Sequence, residues 1–438
     1  MKLILHIGTE KTGSTTTQRW ASRNREALSD QGILYSQVLG HKVHIKLHLW
    51  CLAPGRWDEG FNRIHAISKA DVREFRARLP DQFAAEVSEA RKCGRHTFLI
   101  SDELCHSRLS SLEEVQRVGE FLKPHFDEIE ILCSLRPQID LAVSKASNAA
   151  KADVRITKAY FDRIEPGFSF YNYKTLVERW SAVFGTENVR LVPFRRTPDF
   201  TDVVVARLGI DATKLEPPVR SNEAIDVRVM ALTNAMKAEP LEGRSVEPFA
   251  YIPRDLLHRF PCEQRLQPGL ELARSVHARF EQDNSDLANG RTDLTKADLE
   301  PDWSRYEGPG NIDILERPCA FSQQLATLVQ MFNEEVALAQ AHNEVLEAER
   351  HLELDRRLLA RRNMLEARRL LGLLKEAAGS SHRIGRLEAR VDAIAKELEN
   401  LPDPKNGHGA GTPRAGRRSG AIRRSRASER LSDEPEVT

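Results

Sequence analysis

Four short runs dominated by apolar residues stand out in the first 330 positions: KLILHIG at 2–8, TFLIS at 97–101, EIEILCSL at 128–135 and NVRLVPF at 188–194. Each is largely continuous rather than alternating, the pattern of a strand covered on both faces. Between them, helical spacing of apolar positions predicts helices over Gln18–Leu28, Val72–Arg91 and Leu112–Leu122. Strand and helix in alternation predict an α/β fold, a parallel sheet joined by right-handed crossovers and flanked by helices. Ligands on such sheets bind beyond the carboxyl ends of the strands. Chemistry is therefore expected in the loops after Ile7, Ile100, Leu135 and Phe194.

The pattern changes near residue 321. From there to about 400 the chain is rich in Leu, Ala, Glu and Arg, which predicts a helical extension. Leu338, Val345, Leu352 and Leu359 recur every seven residues, but Ala341, Ala348 and Asp355 at the intervening positions make an imperfect seam. Ile384, Leu387, Val391, Ile394 and Leu398 follow at 3-4-3-4 spacing, a short coiled-coil signal that predicts a helix pair or a homo-oligomerisation arm. Residues 401–438 are a Gly/Ser/Pro/Arg tail; the seven Lys and Arg between Lys405 and Arg426, with no acid among them, predict a disordered, solvated segment. The expected organisation is 1–320, 321–400 and 401–438.

Charge narrows the function classes. The 65 Lys and Arg against 64 Asp and Glu leave a formal charge of +1, so the chain as a whole is not built to coat nucleic acid or an anionic membrane. Any anion site must be local. The six cysteines are scattered without a C-x-x-C pair, which argues against a disulfide framework or a thiolate zinc site and for a reducing compartment. No run approaches the ~20 apolar residues of a membrane span, and the apolar start is too short for a signal peptide. A soluble, cytoplasmic protein is expected.

The loop after the first run reads Gly8-Thr-Glu-Lys11-Thr12-Gly13-Ser14-Thr15-Thr16. A glycine-flanked loop opening a helix aims backbone N–H groups at one spot, at the positive end of the helix dipole, and the hydroxyls of Ser14, Thr15 and Thr16 add donors. Gly8 and Gly13 keep the spacing of a nucleotide-hydrolase P-loop, yet Ser14 occupies the position of its lysine and Lys11 lies inside the loop. The simpler alternative is an ordinary helix with a Ser/Thr-rich cap. The loop resembles the 5′-phosphosulfate-binding loop of sulfotransferases that use 3′-phosphoadenosine 5′-phosphosulfate (PAPS), particularly bacterial sulfotransferase-family proteins, whose K-[ST]-G-[ST]-[ST] pattern matches Lys11–Thr15. The fold this implies is P-loop NTPase-like.

After the third run comes Leu135-Arg136-Pro-Gln-Ile-Asp140-Leu-Ala-Val-Ser144. Arg offers a forked, charged donor and Ser a short hydroxyl, able to converge on one phosphate. The segment is similar to the 3′-phosphate motif of the same family. Asp140 is expected to cap or orient the helix. The resemblance extends to Asn222 in Arg220–Glu223 and to Ala278–Asn284, reaching about residue 310. It departs from the family at Ala146, where an aromatic residue is usual, and in lacking a C-terminal R-K-G-x-x-G segment.

The resemblance implies PAPS as co-substrate, no required metal, and a hydroxyl or amine acceptor, with a carbohydrate expected. Sulfuryl transfer places negative charge on the leaving phosphate oxygen, which calls for a cation, Lys11, and preorganised donors. The acceptor needs a base. His44, in an H-x-x-L segment like that of related proteins, is one candidate, His41 its runner-up, and Glu103 the other; His106 is given no role. Trp303 and Tyr306 are candidates for an acceptor groove. Two other readings remain: a metal-dependent nucleotide kinase using the same cradle, and a non-catalytic nucleotide- or glycan-binding protein acting through its helices.

Overall fold

The computed structural model describes residues 1–152, 154–196, 199–219, 224–236, 257, 260–316, 320–354, 356–378 and 381–400. The segment Arg220–Glu223 with Asn222, most of 237–259, and the basic tail lie outside them. The contacts divide the chain into two units, residues 1–337 with 373–379, and 338–372 with 380–438. The boundary thus falls inside a helix rather than at residue 320.

The first unit is built on five parallel strands: β1 (Lys2–Gly8), β2 (Ile33–Tyr35), β3 (Thr97–Ser101), β4 (Glu128–Leu135) and β5 (Val189–Pro193), in the order β2-β3-β1-β4-β5. β1 therefore lies at the centre, with β3 and β4 as neighbours. The continuous apolar runs are explained by the packing. Leu3, Leu5 and Ile7 join one core cluster, whereas Ile4, Leu99, Leu132 and Val192 join another with Trp20 and Phe200. Successive strand residues point to opposite faces, and both faces are covered. Only the three-residue strand β2 was not expected; it is too short to make a run of its own.

Helices occupy the predicted places with altered ends. α1 (Ser14–Arg23) and α2 (Arg25–Asp30) replace the single helix expected over 18–28. The break is at Asn24, whose side-chain amide donates to the carbonyls of Trp20 (3.0 Å) and Glu216 (3.1 Å). α3 (Lys69–Lys92) starts at a Ser68/Asp71 capping box, α4 is the short helix Leu104–Arg108, and α5 (Leu112–Leu122) starts at a Ser111/Glu114 box. α6 (Gln138–Ala150) follows β4, and α7 (Tyr173–Phe184) precedes β5.

In the second unit part of the heptad pattern is buried within one chain, Leu338 and Val345 among it, whereas Leu352 is half-buried and Leu359 exposed. The helices α8 (Ala320–Glu353), α9 (Arg357–Ala378) and α10 (His382–Asn400) contribute to it. Ala341, Val345 and Ala348 of α8, Ala360, Met364 and Ala367 of α9, and Ile384, Leu387, Val391 and Ile394 of α10 are all buried. The alanines that weaken the seam as a coiled coil allow close helix approach here. Arg390 of α10 clasps the Glu349 carboxylate of α8 (2.6 and 2.9 Å), and Arg368 of α9 pairs with Asp392 of α10 (3.0 Å). Among the described residues, no helix is long and apolar enough to cross a membrane.

Candidate functional site

The loop between β1 and α1 depends on backbone that side chains rarely favour. Gly8 (φ +109°) and Gly13 (φ +96°) lie in the left-handed half of conformational space, and so does Lys11 (φ +68°). A Cβ at Gly8 would come within 3.2 Å of the Glu103 carbonyl, the Glu10 nitrogen and the His106 Cβ, so no side chain fits there. Thr9 closes the loop onto β4: its N–H and its hydroxyl both donate to the Ser134 carbonyl at 2.8 Å. The Thr12 hydroxyl donates back to the Thr9 carbonyl (2.6 Å). It is spent inside the loop, which leaves only the Thr12 backbone as a ligand group. Gly13 caps α1 without any side-chain hydrogen bond, contrary to an ordinary Ser/Thr-capped helix. The first N–H groups of α1, at Ser14 and Thr15, have no acceptor within the helix, as at any helix start. Ser14 is buried, and Thr15 and Thr16 are half-buried.

Cations surround this turn. The Lys11 ammonium forms no ion pair among the described residues; burial lowers its pKa to about 8, helped by the Lys151 and Lys145 ammoniums and by Arg136. Lys145 pairs with Glu10 (3.0 Å) and lies over the Phe170 ring, 4.5 Å from its centre. Although burial alone would raise the Glu10 pKa, Lys145, the Ser107 hydroxyl and His106 bring it below the usual carboxylate range. Neither Lys145 nor Glu10 was singled out from the sequence, where nothing but proximity to Ser144 and Lys11 marks them.

Arg136, at the end of β4, reaches the same turn. Its Nη1 donates to the Lys11 carbonyl at 3.1 Å, and its guanidinium stacks over Phe194, 4.9 Å from the ring centre. Its Nε is buried with no partner among the described residues, and burial lowers its pKa, opposed by nearby Asp140. Ser144 is half-buried on α6, and its hydroxyl has no hydrogen-bond partner among the described residues. The helix is anchored by a buried amide pair: Gln138 Nε2 donates to Asn284 Oδ1 (2.7 Å) and Asn284 Nδ2 to Gln138 Oε1 (3.1 Å). The Ala278–Asn284 segment thus acts by holding the start of α6. Asp140 does not cap the helix. It accepts from the Tyr306 hydroxyl (2.6 Å) and pairs with Arg305 (3.3 Å).

The structure corrects the histidine assignment. His44 is fully buried; its Nε2 donates to the Ser36 carbonyl (2.9 Å) and its Nδ1 accepts from the Ser101 N–H (2.8 Å). Both nitrogens are committed, and burial lowers its pKa to about 4, so no lone pair is left for a base. His44 is a brace between β3 and the segment after β2. His41 is exposed. His106 is a second brace, accepting from the Glu10 N–H (3.4 Å) and donating to the Phe170 carbonyl (2.9 Å). Glu103, at the cap of α4, behaves differently. Burial raises its pKa to about 6, Gln18 donates to its Oε2, and it has no cationic partner among the described residues. The proposed acceptor groove is also revised: Tyr306 is buried against Asp140, and the Trp303 ring lies under Arg274 (5.8 Å) and against His277 (5.4 Å).

No protein-family model matches the chain, and no curated protein matches it. Among solved structures, the chain is similar to a sulfotransferase from Alicyclobacillus acidocaldarius, with 18% identity and a TM-score of 0.33, over 50% of this chain and 85% of that one.

Proposed function

We propose that the chain is a PAPS-dependent sulfotransferase acting on a hydroxyl or amine, with a carbohydrate as the first acceptor to test. The observation that carries this reading is the meeting of two anion-binding elements at neighbouring strand ends, where Arg136 of the β4 end bonds the backbone of Lys11 in the β1 loop. A doubly phosphorylated adenosine needs two such elements, one for each end. The residues present fit it: an unpaired lysine in a glycine turn, a buried guanidinium with an unmatched Nε, and a free serine hydroxyl. The donor brings a sulfuryl group already activated by its bond to phosphate.

In this reading Lys11 and the first N–H groups of α1 hold the phosphosulfate and offset the charge that builds on the phosphate oxygen. Ser14 adds a hydroxyl. Glu103 takes the proton of the acceptor hydroxyl as its oxygen bonds sulfur and the bond from sulfur to the phosphate oxygen breaks. The products are the sulfated acceptor and 3′-phosphoadenosine 5′-phosphate. Arg136 and Ser144 hold the 3′-phosphate, Arg136 through charged, directional bonds.

Calorimetric titration with 3′-phosphoadenosine 5′-phosphate beside ATP tests the assignment. Tighter binding of the former by about tenfold or more is expected, about 1.4 kcal/mol. Equal binding of both, or preference for ATP with magnesium, favours the kinase reading; no binding of either leaves the chain without its donor.

A further inference from the structure

We propose that Gln18 is a positioning residue of this site, its carboxamide fixing the Glu103 carboxylate and holding it in its ionised form. This rests on the reading of Glu103 as the acceptor's base. Gln18 lies on α1, one turn after Ser14, and is 1% exposed. Its Nε2 donates to the Ser101 hydroxyl (3.1 Å) and to Glu103 Oε2. Ser101 in turn bonds His6 Nδ1 (2.8 Å). The carboxylate is thereby tied through one amide to the ends of β1 and β3, beside the helix whose N-terminus forms the phosphate cradle.

The choice of an amide has a chemical sense. A lysine or arginine in this place would ionise the carboxylate fully but strip it of basicity, and an apolar side chain would let burial raise its pKa further. A neutral donor does neither. The groups around Glu103 make such a donor necessary: Asp102 beside it in the chain, Glu10 from the loop and Tyr35 from β2 all face it, and Asp102 and Glu10 disfavour its charge. Burial raises the Glu103 pKa to about 6, and the hydrogen bond from Gln18 works against that rise.

The test is the titration of Glu103 itself, followed by carbon-13 NMR of glutamate carboxyls in the full chain, with Glu103→Gln identifying the resonance. Gln18→Met keeps the side-chain length and removes the donor; the Glu103 midpoint is expected to rise by about half a unit or more, a shift a merely space-filling Gln18 would not produce. Gln18→Asn, too short to reach, should shift it the same way and serves if the Met variant does not fold. Affinity for 3′-phosphoadenosine 5′-phosphate and the far-ultraviolet circular dichroism report whether the variants keep their site. An unmoved midpoint in a folded variant overturns the proposal. Full transfer activity in Glu103→Gln would instead remove the base reading, an outcome separable from the NMR result.

Discussion

The guanidinium of Arg136 donates to the carbonyl oxygen of Lys11, 3.1 Å away, across a sequence separation of 125 residues. One side chain therefore pins the left-handed residue of the β1 loop and, in the proposed function, also binds the 3′-phosphate. Substituting Arg136→Ala removes both. A loss of roughly 1.5–3 kcal/mol is expected for a charged hydrogen bond, or about tenfold to a hundredfold in affinity for 3′-phosphoadenosine 5′-phosphate. Affinity unchanged on calorimetry would remove the second anion element from the proposed function.

The two groups assigned to chemistry set opposite limbs of the pH profile. Glu103 must be ionised to accept a proton, and its pKa is raised to about 6, so kcat/KM rises as the pH passes upward through that value. Lys11 must be protonated, and its pKa is lowered to about 8, so kcat/KM falls above that value. A bell between the two is expected in steady-state rates. Lys11→Arg, whose charge does not titrate, should lose the alkaline limb, whereas Lys11→Ala should lose roughly a hundredfold to a thousandfold in kcat, as for a removed charge-stabilising donor. An alkaline limb that persists in Lys11→Arg assigns that limb to another group.

How far the sequence was legible follows from what each signal measures. Continuous apolar runs report burial on both sheet faces, so β1, β3, β4 and β5 were readable, while Ile33–Tyr35 was too short to register. The glycine turn was readable because Gly8 and Gly13 supply conformations that few residues adopt. The base was not. What separates His44 from Glu103 as a candidate is what surrounds each: Ser36 and Ser101 take up both imidazole nitrogens, whereas Glu103 accepts from the neutral amide of Gln18. Ser101 lies 57 residues from His44 and Gln18 lies 85 from Glu103, and such distant neighbours leave no local trace. The same holds for Asn284, whose bond to Gln138 orients α6 from 146 residues away.

Buried histidines make the site's support sensitive to acid. Burial lowers the pKa of His6 to about 3 and of His44 and His106 to about 4, each below the ordinary histidine value. The unfolded chain then binds protons that the folded chain refuses, so stability is full above about pH 6.5 and falls as the pH drops toward 4. Chemical denaturation at stepped pH should show that fall; the three histidines contribute a slope near three protons, offset between about pH 6 and 4.5 by the proton that Glu103 takes up in the folded chain. In His44→Gln the slope should lessen by about one proton while transfer at neutral pH persists in the folded fraction. Complete loss of kcat in a fully folded His44→Gln protein would return the base role to this residue.

The second unit carries the last prediction. Ile394 and Val391 of α10 are 3% and 2% exposed within a single chain, and Val345 and Ala348 of α8 are buried as well. A coiled coil that paired two chains through these side chains would need them exposed in one chain, and they are not. Replacing Ile394→Asp places a carboxylate at a buried apolar position, at a cost of several kcal/mol if α10 stays docked. The helix should therefore undock, and circular dichroism should lose part of its helical signal. The mass from light scattering should stay that of the wild type. A drop from dimer to monomer with the helical signal intact would instead make this seam an interface between copies.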